Sequence, residues 1–261
     1  MQEAEKWVTV ETPAPYVTLI RFNRTDKKNA LHSTMVMRLG DLLREAADDP
    51  KVRCVVLTGD DRAFSAGSDI KEMLEKGPAG TANHPRRVAA WRTIERFSKP
   101  MIAAVNGVAF GAGNELAMCC DFVVAGETAQ FGQPEVRIGG IAGDGGTQRL
   151  PRKFGPNLAS YMLMTGMPID AAMARHVGYV VKVCRPEETV AEAVKIGEQI
   201  ARNAPLSIRL TKECIRTAVG ATLENGVAFE RDCVWRNSQG PDRQEGMSAF
   251  VDKRTPVFPD S

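Results

Sequence analysis

The 261-residue sequence lacks most of what would mark a metal site, a disulfide framework or a nucleotide cradle. Its three histidines, His32, His84 and His176, are scattered without ligand spacing, so no metal site is expected. Its six cysteines, Cys54, Cys119, Cys120, Cys184, Cys214 and Cys233, form no C-x-x-C pair, and most lie inside apolar runs. They read as reduced core thiols in a reducing compartment. No apolar run approaches the length of a membrane span. The amino terminus, Met1 to Lys6, is acidic and polar with no hydrophobic signal core, so a soluble cytoplasmic protein is the expectation. Lys plus Arg number 34 against 32 for Asp plus Glu, a formal charge of +2, which is not the basic excess of a dedicated nucleic-acid binder. Local basic patches that hold phosphates remain open.

The glycine motifs fail in informative ways. Gly111-Ala112-Gly113 is followed by Leu116 where the third glycine of a dinucleotide fingerprint should fall. Within Gly140 to Thr147, Gly146 stands where a phosphate loop needs lysine. Neither Ser65 nor Ser68 lies in a nucleophile-elbow pattern, which argues against a serine hydrolase.

What is present is one dense stretch from Lys99 to Leu150. A short apolar run, Met101 to Val105, ends at the turn pair Asn106-Gly107 and reads as a buried strand arriving at a bend. Gly111, Ala112 and Gly113 then precede the helix-forming Asn114 to Cys120. Small residues at a helix N-terminus leave backbone N–H groups open to a ligand, at a spot the helix dipole makes favourable for negative charge. Glu115 falls in the first turn, and Glu135 follows in Phe131-Gly132-Gln133-Pro134-Glu135. Alone, Glu115 could simply complement a helix terminus, and Pro134-Glu135 could be a solvated turn. Together they form a candidate acid/base pair beside an anion-stabilising corner.

Elsewhere the sequence alternates strand and helix. Tyr16 to Phe22 reads as a strand, and Ser33 as the cap of a helix with Val36, Leu39, Leu43 and Ala46 on one face. Val52 to Thr58 reads as a second strand, so the expected class is α/β. Lys76 to Pro85 turns to Gly, Pro, Ala and Asn and reads as a mobile surface segment. Arg86 to Ser98 reads as a helix with Val88, Trp91 and Ile94 on its apolar face. After the strand Tyr179 to Cys184 the pattern is entirely helical, with breaks near Ala204-Pro205, Gly220 and Gly240-Pro241. At 43% apolar residues, the chain can bury one substantial core.

The central stretch, with the block Ala63-Phe64-Ser65-Ala66-Gly67-Ser68-Asp69-Ile70-Lys71-Glu72-Met73, resembles the two signature regions of the crotonase superfamily, specifically of the enoyl-CoA hydratases. The similarity runs from about Val17 to Phe258. It implies a crotonase-like ββα superhelix for residues 1–201, followed at 202–261 by a C-terminal helical region that assembles trimers or dimers of trimers. The implied substrate is an acyl-CoA thioester, with no separate cofactor because coenzyme A is part of the substrate, and with no nucleic-acid or membrane partner. The implied reaction adds water across the 2,3 double bond of an enoyl-CoA to give a 3-hydroxyacyl-CoA.

The same resemblance assigns roles. The backbone N–H groups of Ser68 and Ala112 become the oxyanion hole, although Ala112 stands where hydratases usually have glycine. Glu115 orients and deprotonates water and Glu135 serves as the acid. Ala66, Gly67, Ser68, Asp69, Ile70 and Lys71 wrap coenzyme A, with Lys71 near phosphate, while Phe250 and Lys253 are supplied by a neighbouring subunit. Asp144 departs from the hydratase pattern. It reads either as a third carboxyl aimed at the acyl chain, as in isomerase relatives, or as the cap of a helix beginning near Gly145. Double-bond isomerisation of a dienoyl- or enoyl-CoA, and a non-catalytic role binding CoA esters or RNA, stand as alternatives.

Overall fold

The structure, a computed structural model, describes residues 2–259. Met1 of the polar amino terminus and the last two residues of the C-terminal region lie outside the described residues. The strands in chain order are β1 (Val8–Ala14), β2 (Val17–Phe22), β3 (Cys54–Thr58), β4 (Ala63–Ser65), β5 (Met101–Val105), β6 (Val108–Phe110), β7 (Phe122–Gly126), β8 (Gln130–Gly132), β9 (Ile169–Asp170) and β10 (Val180–Cys184). The helices are α1 (Gln2–Trp7), α2 (Ser33–Asp48), α3 (Ile70–Gly80), α4 (Pro85–Arg96), α5 (Ala112–Cys119), α6 (Gly146–Phe154), α7 (Pro156–Thr165), α8 (Ala171–His176), α9 (Thr189–Ala201), α10 (Pro205–Ala218), α11 (Leu223–Ser238) and α12 (Pro241–Val251).

The long apolar strands build one sheet in the order β1-β2-β3-β5-β7-β10, and the short ones build a second in the order β4-β6-β8-β9. Each pass of the chain adds one strand to each sheet: β3 then β4, β5 then β6, β7 then β8. The β3–β5, β5–β7, β4–β6 and β6–β8 ladders are all parallel. This repeating advance is the ββα winding the resemblance implied.

Successive side chains on a strand face opposite ways, so a sheet buried on both faces needs apolar residues at every position. Val55, Leu57, Ala103, Val105, Val123 and Ala125 face the larger core, with Met35, Leu39 and Leu43 of α2 and Trp91 and Ile94 of α4. Cys54, Val56, Ile102, Ala104 and Val124 face the other way, where Ala193 of α9 covers them. Burying side chains of this size stabilises by about 1.5–3 kcal/mol each before entropy is counted.

Beyond α9, the helical C-terminal segment is tied to the sheets by charge. Lys212 of α10 reaches the Lys99 carbonyl at 2.6 Å and Asp121 Oδ2 at 2.7 Å. Arg53 donates to the carbonyls of Ala201 at 3.1 Å and Phe258 at 2.9 Å.

Two local expectations are corrected, and one strand was not among them. The cap of α2 is His32, not Ser33: His32 Nδ1 accepts from the Thr34 N–H at 3.3 Å, while the Ser33 N–H donates to Glu72 Oε2 at 2.8 Å. The segment from Lys76 is not an irregular connection but continues α3 to Gly80, kinked at Gly77, and Thr81 behind it is buried. β1 carries no alternating apolar signal because it is a sheet edge, where Pro13 is tolerated and most side chains face solvent.

Candidate active site

A cavity of about 430 Å³ opens where the ends of β4 and β6 meet α3, α4, α5 and the loop before α6. Ser68, Ala112, Glu115, Glu135 and Asp144 all line it, so five residues separated by up to 76 positions in sequence share one wall.

The two backbone candidates are placed by strand and helix geometry. Ser68 forms a parallel bridge with Leu31, in which the Gly67 carbonyl and the Asp69 N–H make the bonds. The Ser68 N–H therefore points away from Leu31. Ala112 is the first residue of α5, so its N–H is one of those without an intrahelical acceptor. The two segments approach closely because Gly67 has no side chain. At φ +106 it occupies a conformation L residues avoid, and an added methyl would lie 2.9 Å from the Phe110 carbonyl oxygen and 3.7 Å from the Ala112 nitrogen.

Glu115 is 2% exposed in the first turn of α5. Its Oε1 accepts the backbone N–H of Asp144 at 2.9 Å and of Gly146 at 2.6 Å. Burial and then the Asp144 charge push its carboxyl up, the Gly146 bond opposes them, and the result is about 7. Gly146 is dictated by this packing: an added methyl would meet Gln133 Nε2 at 2.7 Å and Glu115 Oε1 at 2.9 Å.

Glu135 sits in a 3-10 turn after β8. Gln133 Nε2 donates to its Oε1 at 3.1 Å, Asn114 Nδ2 donates to Gln133 Oε1 at 2.9 Å, and the Tyr179 hydroxyl donates to Asn114 Oδ1 at 3.3 Å. The chain of donors fixes which oxygen of Glu135 is engaged. Its Oε2 is buried and has no hydrogen-bond partner among the described residues. Burial raises the Glu135 carboxyl above its ordinary value, and the Asp144 charge adds to this.

Asp144 does not cap α6. Gly145 is the cap residue and supplies no side-chain bond. Both Asp144 oxygens are instead taken by Arg87 of α4, Nη1 to Oδ1 at 2.9 Å and Nη2 to Oδ2 at 2.5 Å. Arg87 is 5% exposed, lines the same cavity, and lies 5.7 Å from the Trp91 ring centre. The sequence reading passed over Arg87, although a signal was present. It falls four and seven positions before Trp91 and Ile94, so it shares their buried face, and an arginine on an apolar stripe is normally there for a partner. Gln133 was also passed over, and only the fold reveals its contact with Glu135.

The proposed coenzyme residues divide. Ala66, Gly67, Ser68, Asp69 and Ile70 line the cavity. The Asp69 carboxylate is committed elsewhere, capping α3 through the Glu72 N–H at 3.1 Å and pairing with Arg24 at 2.6 Å. The Lys71 side chain is 85% exposed, is not part of the cavity wall, and approaches Glu75 at 3.8 Å. Phe250 and Lys253, at the end of α12, are exposed and lie outside the cavity of their own chain. Among the described residues, no cluster of His, Cys, Asp and Glu is arranged to hold a metal ion, and no helix is long and apolar enough to cross a membrane.

Parallel ββα winding around a cavity lined by two backbone segments and two glutamates defines a crotonase-type fold. Consistent with this, the family model for Enoyl-CoA hydratase/isomerase matches residues 14–261. The chain belongs to that family. It is 43% identical over 242 residues to the 2,3-dehydroadipyl-CoA hydratase of Escherichia coli K12, covering 93% of this chain and 94% of that one. It is likewise 43% identical to the mitochondrial enoyl-CoA hydratase of Pongo abelii, covering 94% and 84% of the two chains. The crystal structure of an enoyl-CoA hydratase from Bacillus anthracis superimposes with a TM-score of 0.89 at 35% identity, covering 98% of this chain and all of that one.

Proposed function

We propose that this protein hydrates a 2-enoyl-CoA thioester to the 3-hydroxyacyl-CoA. The observation that carries the reading is the pair of carboxyls, buried Glu115 and part-buried Glu135, lining the cavity that Ser68 and Ala112 also line. The relatives named as enoyl-CoA hydratases at about 40% identity support the same reaction.

In this mechanism the thioester oxygen sits between the N–H groups of Ser68 and Ala112. Water bonds to Cβ, the π electrons move to Cα, and negative charge develops on that oxygen. A donor aimed there stabilises the transition state, and loss of one such donor costs about 3 kcal/mol. Glu115 receives a proton from the attacking water. Its Oε1 is already held by two backbone N–H groups, which leaves Oε2 for the water. A carboxyl near 7 is matched to a reaction near neutral pH, where a positioned base contributes about 10²–10⁴-fold. Glu135, whose carboxyl burial raises above its ordinary value, delivers a proton to Cα from its unpartnered Oε2.

Coenzyme A enters only as part of the substrate, and no further cofactor takes part. Phe250 and Lys253 act from a neighbouring copy in a homotrimer or dimer of trimers, which gives their exposure a use. A cytoplasmic location completes the proposal. The isomerase alternative drew on Asp144 as a free third acid, and the Arg87 pairing removes that support. Loss of the conjugated-thioester absorbance of crotonyl-CoA, with 3-hydroxybutyryl-CoA as the product, tests the reading. An unchanged spectrum for crotonyl-CoA and longer enoyl-CoAs would overturn it.

A further inference from the structure

The proposed hydration gives Arg87 no task at the reacting atoms. A guanidinium carries five N–H donors, and its pairing with Asp144 uses two of them. The other three have no acceptor among the described residues, on a side chain that is nearly buried and lines the cavity. Asp144 follows directly on the site of reaction, because its own N–H bonds Glu115 Oε1. Arg87 lines the same cavity as Ser68, Ala112 and Glu115, so an acyl chain whose Cβ lies at Glu115 shares that space with the guanidinium.

A saturated chain laid against that guanidinium would strip water from donors it cannot satisfy, and unsatisfied buried donors are strongly disfavoured. An oxygen at the same place replaces the lost water in kind. We propose that Arg87, held by Asp144, is a specificity determinant that selects acyl chains bearing an oxygen acceptor near C5 or C6 over plain aliphatic chains. This rests on the enoyl-thioester reading of the site and names the substrate class within it. The shared chemistry is a hydrogen-bond acceptor, met either by a neutral ketone or hydroxyl or by a terminal carboxylate. The pair carries no net charge and Asp144 already stands on the guanidinium, so the neutral acceptor binds more tightly of the two.

The test measures binding of hexanoyl-CoA, 5-oxohexanoyl-CoA and adipyl-CoA by calorimetry, none of which can be hydrated. The wild-type protein is expected to bind at least one oxygenated chain about tenfold or more tightly than hexanoyl-CoA. In an Arg87→Met/Asp144→Leu double variant, which leaves no lone buried charge, that ratio is expected to fall to within about twofold. Equal binding of hexanoyl-CoA by the wild type overturns the proposal without needing any variant to fold. Persistence of the preference in the double variant overturns it too. Crotonyl-CoA turnover by the same wild-type preparation separates the two readings. Turnover without an acyl preference sinks only the specificity claim, and a preference without turnover sinks only hydration.

Discussion

Replacing Asp144 with asparagine should move the acidic limb of the pH–rate profile. In the proposed reaction Glu115 must be ionised to accept a proton from water, and burial together with the Asp144 charge raises its carboxyl to about 7. In the wild type, kcat/KM for crotonyl-CoA should therefore fall about tenfold per pH unit below that point. At an effective dielectric constant of about 20, neighbouring unit charges interact by about 1–4 kcal/mol. The Arg87 guanidinium, paired with Asp144, stays charged in the variant. Removing the carboxylate should lower the limb by about one pH unit, or ~1.4 kcal/mol. Asparagine keeps the backbone N–H that bonds Glu115 Oε1, so the geometry at Glu115 is preserved. Initial rates from about pH 5 to about pH 9 give the answer. A limb that stays in place or rises in Asp144→Asn would refute the electrostatic reasoning, as would a wild-type limb at the ordinary glutamate value.

Two stability predictions follow from the same chemistry. Glu115 is held above its unfolded value, so folding favours its protonated form, and the stability gained below that unfolded value is lost as pH rises through about 7. Glu115→Gln keeps the acceptor for Gly146 and Asp144 and should melt higher than wild type at alkaline pH, by up to about 3 kcal/mol, with the difference vanishing in acid. Calorimetric melting at two pH values checks this, and a lower-melting variant at alkaline pH would contradict it. Lys212→Met should destabilise by about 1–3 kcal/mol, because it removes the donor to the buried Lys99 carbonyl and the partner of the solvent-facing Asp121. Chemical denaturation measures it, and a loss below about 1 kcal/mol would place the pair among ordinary surface bridges.

The fold was legible where apolar runs were long. Tyr16 to Phe22, Val52 to Thr58, Met101 to Val105 and Tyr179 to Cys184 are all strands of the larger sheet, the third with both ends in place and the others with the first residue shifted by one or two positions. The second sheet was not legible, because β4, β6 and β8 have three residues each, too few for any period to register. His32 displaced Ser33 as cap because Glu72, from a helix far along the chain, claims the Ser33 N–H. At the site, composition and spacing marked Glu115 and Glu135, and the family resemblance added Ser68, Ala112 and the coenzyme segment. Arg87 escaped because only tertiary structure brings α4 against the Asp144 loop, and with it went the meaning of Asp144.

The central claim is that Glu115 and Glu135 together add water to an enoyl thioester, and the most direct measurement follows crotonyl-CoA in ¹⁸O-labelled water with wild type, Glu115→Gln and Glu135→Gln. The account predicts 3-hydroxybutyryl-CoA carrying the label at C3 from the wild type. It also predicts a fall in kcat of about 10²-fold or more in each variant, with the fold intact by circular dichroism. Labelled product formed at the wild-type rate by either variant would contradict it.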